Sequence, residues 1–220
     1  LNAAIRAMID IRMGEMPDPR INIRIERKVR DLALVVLLDL SESTNEKLGD
    51  SDKPVIQLAR EATALLSWAI DRVGDPFAIH GFASDGRHDV QYYRFKDFDE
   101  PYSDDAKAKL AGMQGGLSTR MGAALRHAAS FLFKQHEQKK LILLVTDGED
   151  HDSYPLEAAK AAKEKGVRIV SIGLGDEAGS KIEVTDPRTG GRSFVKDRNG
   201  NDVVSRLDGE TLRDIALQTD

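Results

Sequence analysis

Asp39, Ser41 and Ser43 close the stretch VVLLDLSEST (35–44), each two residues from the next and directly behind an apolar run. In an extended chain every second side chain points the same way. The end of a buried strand therefore aims one carboxylate and two hydroxyls at a single point. Burying such a cluster is costly unless something fills it; a nucleophile site, a helix cap and a metal are the candidates. Two distant stretches carry matching chemistry: Thr119 in GGLSTRMGAAL, just before an expected helix, and Asp147 in LLVTDGED, at the end of another apolar run. Two carboxylates and three hydroxyls are hard oxygen donors, suited to magnesium or manganese. Small hydroxyls leave room for the waters magnesium keeps, and at most two protein charges leave the ion electron-poor. An Asp or Glu of another protein could complete the shell. The chemistry expected is adhesion through a metal, with no turnover and no catalytic residue. Glu42, Ser118 and Gly148, adjacent to the five, are expected on the face that meets the partner.

The surrounding pattern must bring these residues together. Residues 32–38 are continuously apolar, as befits a central strand covered on both faces. Residues 54–73 show helical spacing, with Ile56, Ala59, Leu65, Leu66, Ala69 and Ile70 recurring and Gly74 as a stop. Trp68 and its neighbours share that spacing and are expected in the core. Strands are expected at 76–82, 90–95, 141–146 and 167–175, and helices near 103–112, 120–133, 155–165 and 207–218, the last capped by Asp208. Strands alternating with helices predict an α/β fold with a mostly parallel sheet and helices on both faces. Ligands then bind at the carboxyl edge of the strands. Ahead of this frame lies an arm of helix (1–14) and alternating strand (21–25), so that 1–30 reads as an arm and 31–220 as the domain. Turn signals at Asp186-Pro187, Gly190-Gly191 and Asn199-Gly200 predict a β-hairpin insertion near 180–206.

Composition narrows the function classes. With 220 residues, 40% hydrophobic and a net charge of -5, the chain is too apolar for disorder and too acidic for wholesale nucleic-acid binding. The basic cluster Arg20, Arg24, Arg27, Lys28 and Arg30 reads as a solvated strand face. The absence of cysteine excludes disulfides, cysteine-ligated zinc and thiol catalysis. The longest apolar run is too short to span a bilayer. The chain begins at Leu1 and reads as a fragment of something longer. No Walker A, G-x-S-x-G or H-E-x-x-H pattern occurs. A phosphohydrolase built on the same oxygens would need a general base and a phosphate cradle, and neither has a clear candidate.

Simpler readings stand beside these. Ser41 and Ser43 could cap the following loop, Thr119 could be an N-cap, and Asp147-Gly148 an ordinary turn. Glu149, Asp150, His151 and Asp152 read as a solvated acidic rim. His80, His88, His127 and His136 read as packed or surface residues.

D-L-S-E-S, a distant Thr and T-D-G together resemble the metal-ion-dependent adhesion site of von Willebrand factor A domains, matching at Asp39, Ser41, Ser43, Thr119 and Asp147. The resemblance covers about residues 30–220. It implies a Rossmann-like fold with a divalent ion, Mg2+ or alternatively Mn2+, at its top. Ser41, Ser43 and Thr119 would bind the ion directly and the aspartates often through water. More narrowly, residues 1–133 resemble the C-terminal modules of bacterial adaptors that work with MoxR-type AAA+ ATPases, through LNAAIRAMIDIRMGEMPDPR, RDLALVVLLDLSEST and GGLSTRMGAALRHA. That likeness implies a cytoplasmic bacterial setting in Rubisco activation, or in nitric oxide reductase maturation, with the site gripping an acidic residue of the client. The last third, KKLILLVTDGEDHDSYPLEAAKAAKEKGVRIVSIGLGDEAG onward, looks more like Bat-type A domains, which are membrane-anchored.

Overall fold

The computed structural model describes residues 2–17, 31–47, 53–185, 190–197 and 199–220. Two compact units divide the chain, 1–30 and 31–220. In the first, α1 (Asn2–Arg12) carries Arg12 in its last turn, where a cation complements the helix dipole. The strand expected at 21–25 lies outside the described residues.

The second unit is built on a five-stranded sheet of order β3-β2-β1-β4-β5. Its strands are β1 (Leu32–Asp39), β2 (Phe77–Asp85), β3 (Asp89–Lys96), β4 (Lys139–Thr146) and β5 (Val167–Gly173). β1 pairs in parallel with β2 and β4, β4 in parallel with β5, and only β3 runs antiparallel, as the second arm of a hairpin with β2. α2 (Val55–Val73), α3 (Asp104–Ala111), α4 (Met121–Phe133), α5 (Pro155–Glu164) and α6 (Gly209–Thr219) complete the frame. This is the α/β architecture that the alternation implied.

The period of two along β1 explains why both faces are covered. Ala33, Val35 and Leu37 join one core with Met121 and Leu125 of α4, Ala159 of α5 and Ile215 of α6. Leu34, Val36 and Leu38 join the other with Ile56 and Ala59 of α2 and Leu110 of α3. Helix ends follow local chemistry: the Ser103 hydroxyl accepts from Ala106 N at 3.4 Å, and Asp208 Oδ1 accepts from Thr211 N at 3.0 Å.

Trp68 departs from expectation. It is 52% exposed and Leu65 is 69% exposed. The stripe of α2 that meets the sheet runs through Ile56, Ala59, Thr63 and Ser67, leaving Leu65 and Trp68 on the outer face. There the Arg72 guanidinium lies 5.2 Å from the Trp68 ring centroid, a cation–π contact.

The sheet switches direction at β1. The chain goes out to β2 and β3 on one side and returns to β4 and β5 on the other. The carboxyl ends of β1 and β4 therefore open side by side at the point where α/β folds bind ligands. The insertion forms two short antiparallel pairs, β6 (Ser180–Lys181) with β9 (Val204–Ser205) and β7 (Glu183–Thr185) with β8 (Arg192–Phe194).

Candidate functional site

Asp39 ends β1, Asp147 follows β4, and the parallel register that pairs Leu38 with Val145 sets the two acids at one edge. The chain then turns through a 3-10 segment, Glu42–Asn45. Asp39 Oδ1 accepts from Ser41 N at 2.9 Å, which curls the loop back over the carboxylate. The Ser41 and Ser43 hydroxyls lie 2.9 Å apart, and Ser43 Oγ donates to Asp147 Oδ2 at 2.5 Å. Thr119 arrives on the loop before α4, which an antiparallel bridge between Ser84 and Ser118 pins to β2. Its Oγ1 sits 3.4 Å from Asp39 Oδ2 and 3.5 Å from Oδ1. All five oxygen-bearing side chains meet, and each of the five residues is buried.

The capping readings do not account for them. The Ser41 side chain makes no capping bond to the 3-10 segment, and α4 has Arg120 at its N-cap without a side-chain bond. The first amides of α4 are satisfied from elsewhere: Met121 N by Asp150 Oδ1 at 2.8 Å, and Gly122 N by Ser153 Oγ at 2.6 Å. Asp150 is thus engaged as a structural acceptor within the acidic rim.

Electrostatics separate this cluster from an ordinary polar core. Burial raises the Asp39 carboxyl above the usual carboxylate range, and the neighbouring Asp147 charge raises it further. Burial likewise raises Asp147, against the pull of the Ser43 bond. Among the described residues no lysine or arginine forms an ion pair with either acid. Two desolvated like charges without a cation are unfavourable, and a divalent ion is the simplest remedy. Among the described residues no group of three or more His, Cys, Asp or Glu side chains is arranged to hold a metal ion. A metal here must take hydroxyls as well as carboxylates, which suits a hard ion and disfavours zinc. On that chemistry the donor set fits Mg2+ or Mn2+.

The three residues expected on the partner face separate. Glu42 and Ser118 line an open cleft of about 500 Å3 beside Ser41, Ser43 and Thr119. Ser118 also ties the loop down, donating from Oγ to Ser84 O at 2.9 Å. Gly148 instead is buried. It sits at φ 88, and a Cβ there would come within 2.5 Å of Asp208 O. Its place is a tight turn against the start of α6, because only glycine combines that backbone with that approach.

Thr146, Ser205 and Glu46 were not singled out in the sequence, and Glu149 was read only as part of a solvated acidic rim. Thr146 Oγ1 donates to Asp39 Oδ2 at 2.6 Å and lies 3.5 Å from Asp147 Oδ1, so one hydroxyl bridges both acids. Its clue is position: it ends β4 one residue beyond the partner of Leu38, alongside Asp39. Ser205 Oγ reaches Asp147 Oδ2 at 3.4 Å from the far end of the insertion, and nothing local announces it. Burial raises Glu46 to about 7 and raises Glu149 as well, and the nearby Asp147 charge adds to both shifts.

Comparison with known proteins agrees with this architecture. The family model described as von Willebrand factor type A domain matches residues 33–205. Protein NorD of Brucella suis biovar 1 (strain 1330) is 32% identical over 200 residues, covering 86% of this chain and 31% of that protein. Protein NorD of Stutzerimonas stutzeri is 37% identical over 163 residues, covering 70% of this chain and 26% of that protein. The chain thus spans between a quarter and a third of the length of these relatives. Among solved structures, the conserved hypothetical protein BatB from Bacteroides thetaiotaomicron superposes with a TM-score of 0.70 at 26% identity, covering 86% of each chain. The sheet order, the family match across most of the chain and these two sets of relatives lead to one conclusion: the chain belongs to the von Willebrand factor type A domain family.

Proposed function

We propose that this domain is a metal-dependent protein-binding module in which Asp39, Ser41, Ser43, Thr119 and Asp147 hold Mg2+ or Mn2+. The observation that carries the reading is the buried acid pair, both raised by desolvation and Asp39 further by the Asp147 charge, ringed by hydroxyls and with no lysine or arginine paired to it among the described residues. When bound, the ion supplies positive charge to which an Asp or Glu of a partner can coordinate. Thr146 holds the Asp39 carboxylate in place, and the Asp39 bond to Ser41 N keeps the serine loop curled over the site. The cleft beside Ser41, Ser43 and Thr119 admits the partner.

The NorD relatives support a bacterial adaptor setting in which the module grips a client while a MoxR-type AAA+ ATPase supplies force. Of the two settings implied by the N-terminal stretches, those relatives favour nitric oxide reductase maturation over Rubisco activation. The likeness to BatB supports a second setting, a Bat-like interaction domain beside a membrane. Among the described residues no helix is long and apolar enough to cross a membrane, so in that setting an anchor would lie elsewhere. In both, binding is the activity and catalysis belongs to other proteins.

Calorimetric titration with MgCl2, followed by capture of candidate clients with and without EDTA, tests the reading. Saturable heat and EDTA-sensitive capture are expected, and Asp39→Ala should lose both while keeping its circular dichroism spectrum. Client capture that persists in EDTA and in the variant overturns the metal grip.

A further inference from the structure

The insertion, residues 180–206, lies outside the alternating frame, yet it terminates on the candidate metal site. Two contacts fasten its return to the acids, Ser205 Oγ to Asp147 Oδ2 at 3.4 Å and Arg206 N to Glu149 Oε1 at 2.8 Å, and just beyond it Asp208 N donates to the Asp147 carbonyl at 2.8 Å. Backbone bonds from Ile182 N to Val203 O, Val195 N to Ile182 O and Val203 N to Val195 O knit the insertion into a small ribbon. That ribbon is one wall of the open cleft, and Ser41, Ser43 and Thr119 form the other.

The two walls differ in chemistry. The ribbon presents Ile182, Val195, Val203 and Val204, with Val204 43% exposed. Across from them Leu117, 41% exposed, is held at φ 67, a left-handed backbone that costs a leucine free energy. Its carbonyl accepts from Glu42 N at 2.8 Å, which keeps it at the rim. The charged side chains lining the cleft include Glu42, Glu149, Asp150 and Asp208; among the described residues no lysine or arginine lines it. An ion held by the five oxygens attracts an acid at one point only. The carboxylates lining the cleft disfavour a second acid there and favour a base.

We propose, resting on the metal reading above, that the insertion selects the partner: the cleft takes a protein loop whose metal-reaching acid is flanked by an aliphatic side chain and by a lysine or arginine. The aliphatic group packs against Val203, Val204 and Leu117, where water is displaced from apolar surface. The basic group faces Glu42 and Glu149, and its own methylene stem extends the apolar contact. A cluster of acids without a neighbouring base, such as a polyacidic tail, is repelled by the rim.

Four acetylated hexapeptides test this with the 220-residue chain in Mg2+, read by calorimetry or NMR shift changes. They carry Leu-Asp-Arg, Ser-Asp-Ser, Leu-Asn-Arg or Leu-Asp-Glu at their centres. Leu-Asp-Arg should bind about tenfold more tightly than Ser-Asp-Ser. The double variant Val203→Ser, Val204→Ser should shrink that ratio to the part the basic group supplies while keeping its Mg2+ heat, which also shows that it folds; an unchanged ratio would count against the valines as the selecting surface. Glu42→Lys should turn the preference from Leu-Asp-Arg towards Leu-Asp-Glu. Equal binding of Leu-Asp-Arg and Ser-Asp-Ser overturns the inference and leaves the metal grip standing. Binding of Leu-Asn-Arg as tight as that of Leu-Asp-Arg overturns the grip itself, and so does failure of all four peptides to bind.

Discussion

Two buried polar clusters sit in this domain, and they are built on opposite principles. At the hairpin of β2 and β3, His80 is fully buried. Its Nδ1 lies 2.8 Å from the Tyr92 hydroxyl and its Nε2 3.0 Å from Asp97 Oδ1. Asp97 can only accept, so Nε2 carries the proton and Nδ1 accepts from Tyr92. The Asp97 charge is balanced by Arg94 at 3.0 Å, and Phe131 packs edge-on to the imidazole at 5.0 Å. Each polar atom of His80 has a partner, and the cluster is complete. At the ends of β1 and β4 the hydroxyls are also bonded, but two acids share the space and among the described residues no lysine or arginine answers them. Burial lowers the imidazole to about 4 and raises the acids; both shifts favour the neutral form. Equal burial therefore does not mean equal role. A polar cluster that satisfies itself holds the fold together, whereas a buried pair of acids without a paired cation is the arrangement that the proposed ion would complete.

The sharpest way to break this contrast is Asp39→Asn. Mg2+ affinity should fall by at least about 100-fold, more than the loss of a supporting residue causes. In EDTA the variant should melt above the wild type, because one of two repelling acids is gone. Unchanged Mg2+ heat would remove the distinction between the clusters. His80→Ala should act the other way round. Stability should drop by about 3 kcal/mol from the cavity and from the unpaired Tyr92 and Asp97 groups, with Mg2+ affinity intact. A matching loss of affinity would mean that the two clusters are one system.

Acid sharpens the difference further. The groups facing His80 are Tyr92, Asp97, Arg94 and His127. Its pKa is about 4 in the fold against 6.5 ordinarily, so the unfolded chain takes up more protons between those values. The stability contribution of neutral His80 is complete above pH 6.5 and is lost as pH falls towards 4, on the order of 3 kcal/mol in all. Denaturant titrations of wild type and His80→Gln across that window should diverge, and parallel slopes would refute the assignment. Next in size is the response to metal: Mg2+ at 100 times the wild-type Kd should stabilise the wild type by about 2.7 kcal/mol and Asp39→Asn by no more than about 0.4 kcal/mol. Smallest is Thr146→Val, expected to weaken Mg2+ binding about tenfold by freeing the Asp39 carboxylate. Wild-type affinity in that variant would show that Thr146 serves packing alone.

Much of this is legible in the sequence. The apolar run 32–38 and the helical spacing of 54–73 are local signals, and both elements appear within a residue or so of where the pattern put them. Asp208 capping α6 is equally local. Trp68 was not legible, because periodicity shows which residues of a helix share a face and says nothing of which face meets the sheet. Leu65 and Trp68 form one stripe of α2, and Ile56, Ala59 and Thr63 form the stripe that won. Gly148 was misplaced for a related reason: its burial depends on Asp208 and Leu212, some sixty residues away.

From the residues alone came the element types, the parallel frame and the identity of five hard oxygen donors, since each rests on side-chain chemistry or on a repeat of two or 3.6 within one segment. Tertiary structure alone decided that Thr146 bridges the two acids, that Ser205 returns from the insertion to Asp147, and that valines of the insertion line the cleft together with its acids. Strand register and the docking of an insertion are set by contacts between segments far apart in the chain, and those contacts leave no trace in the sequence on either side.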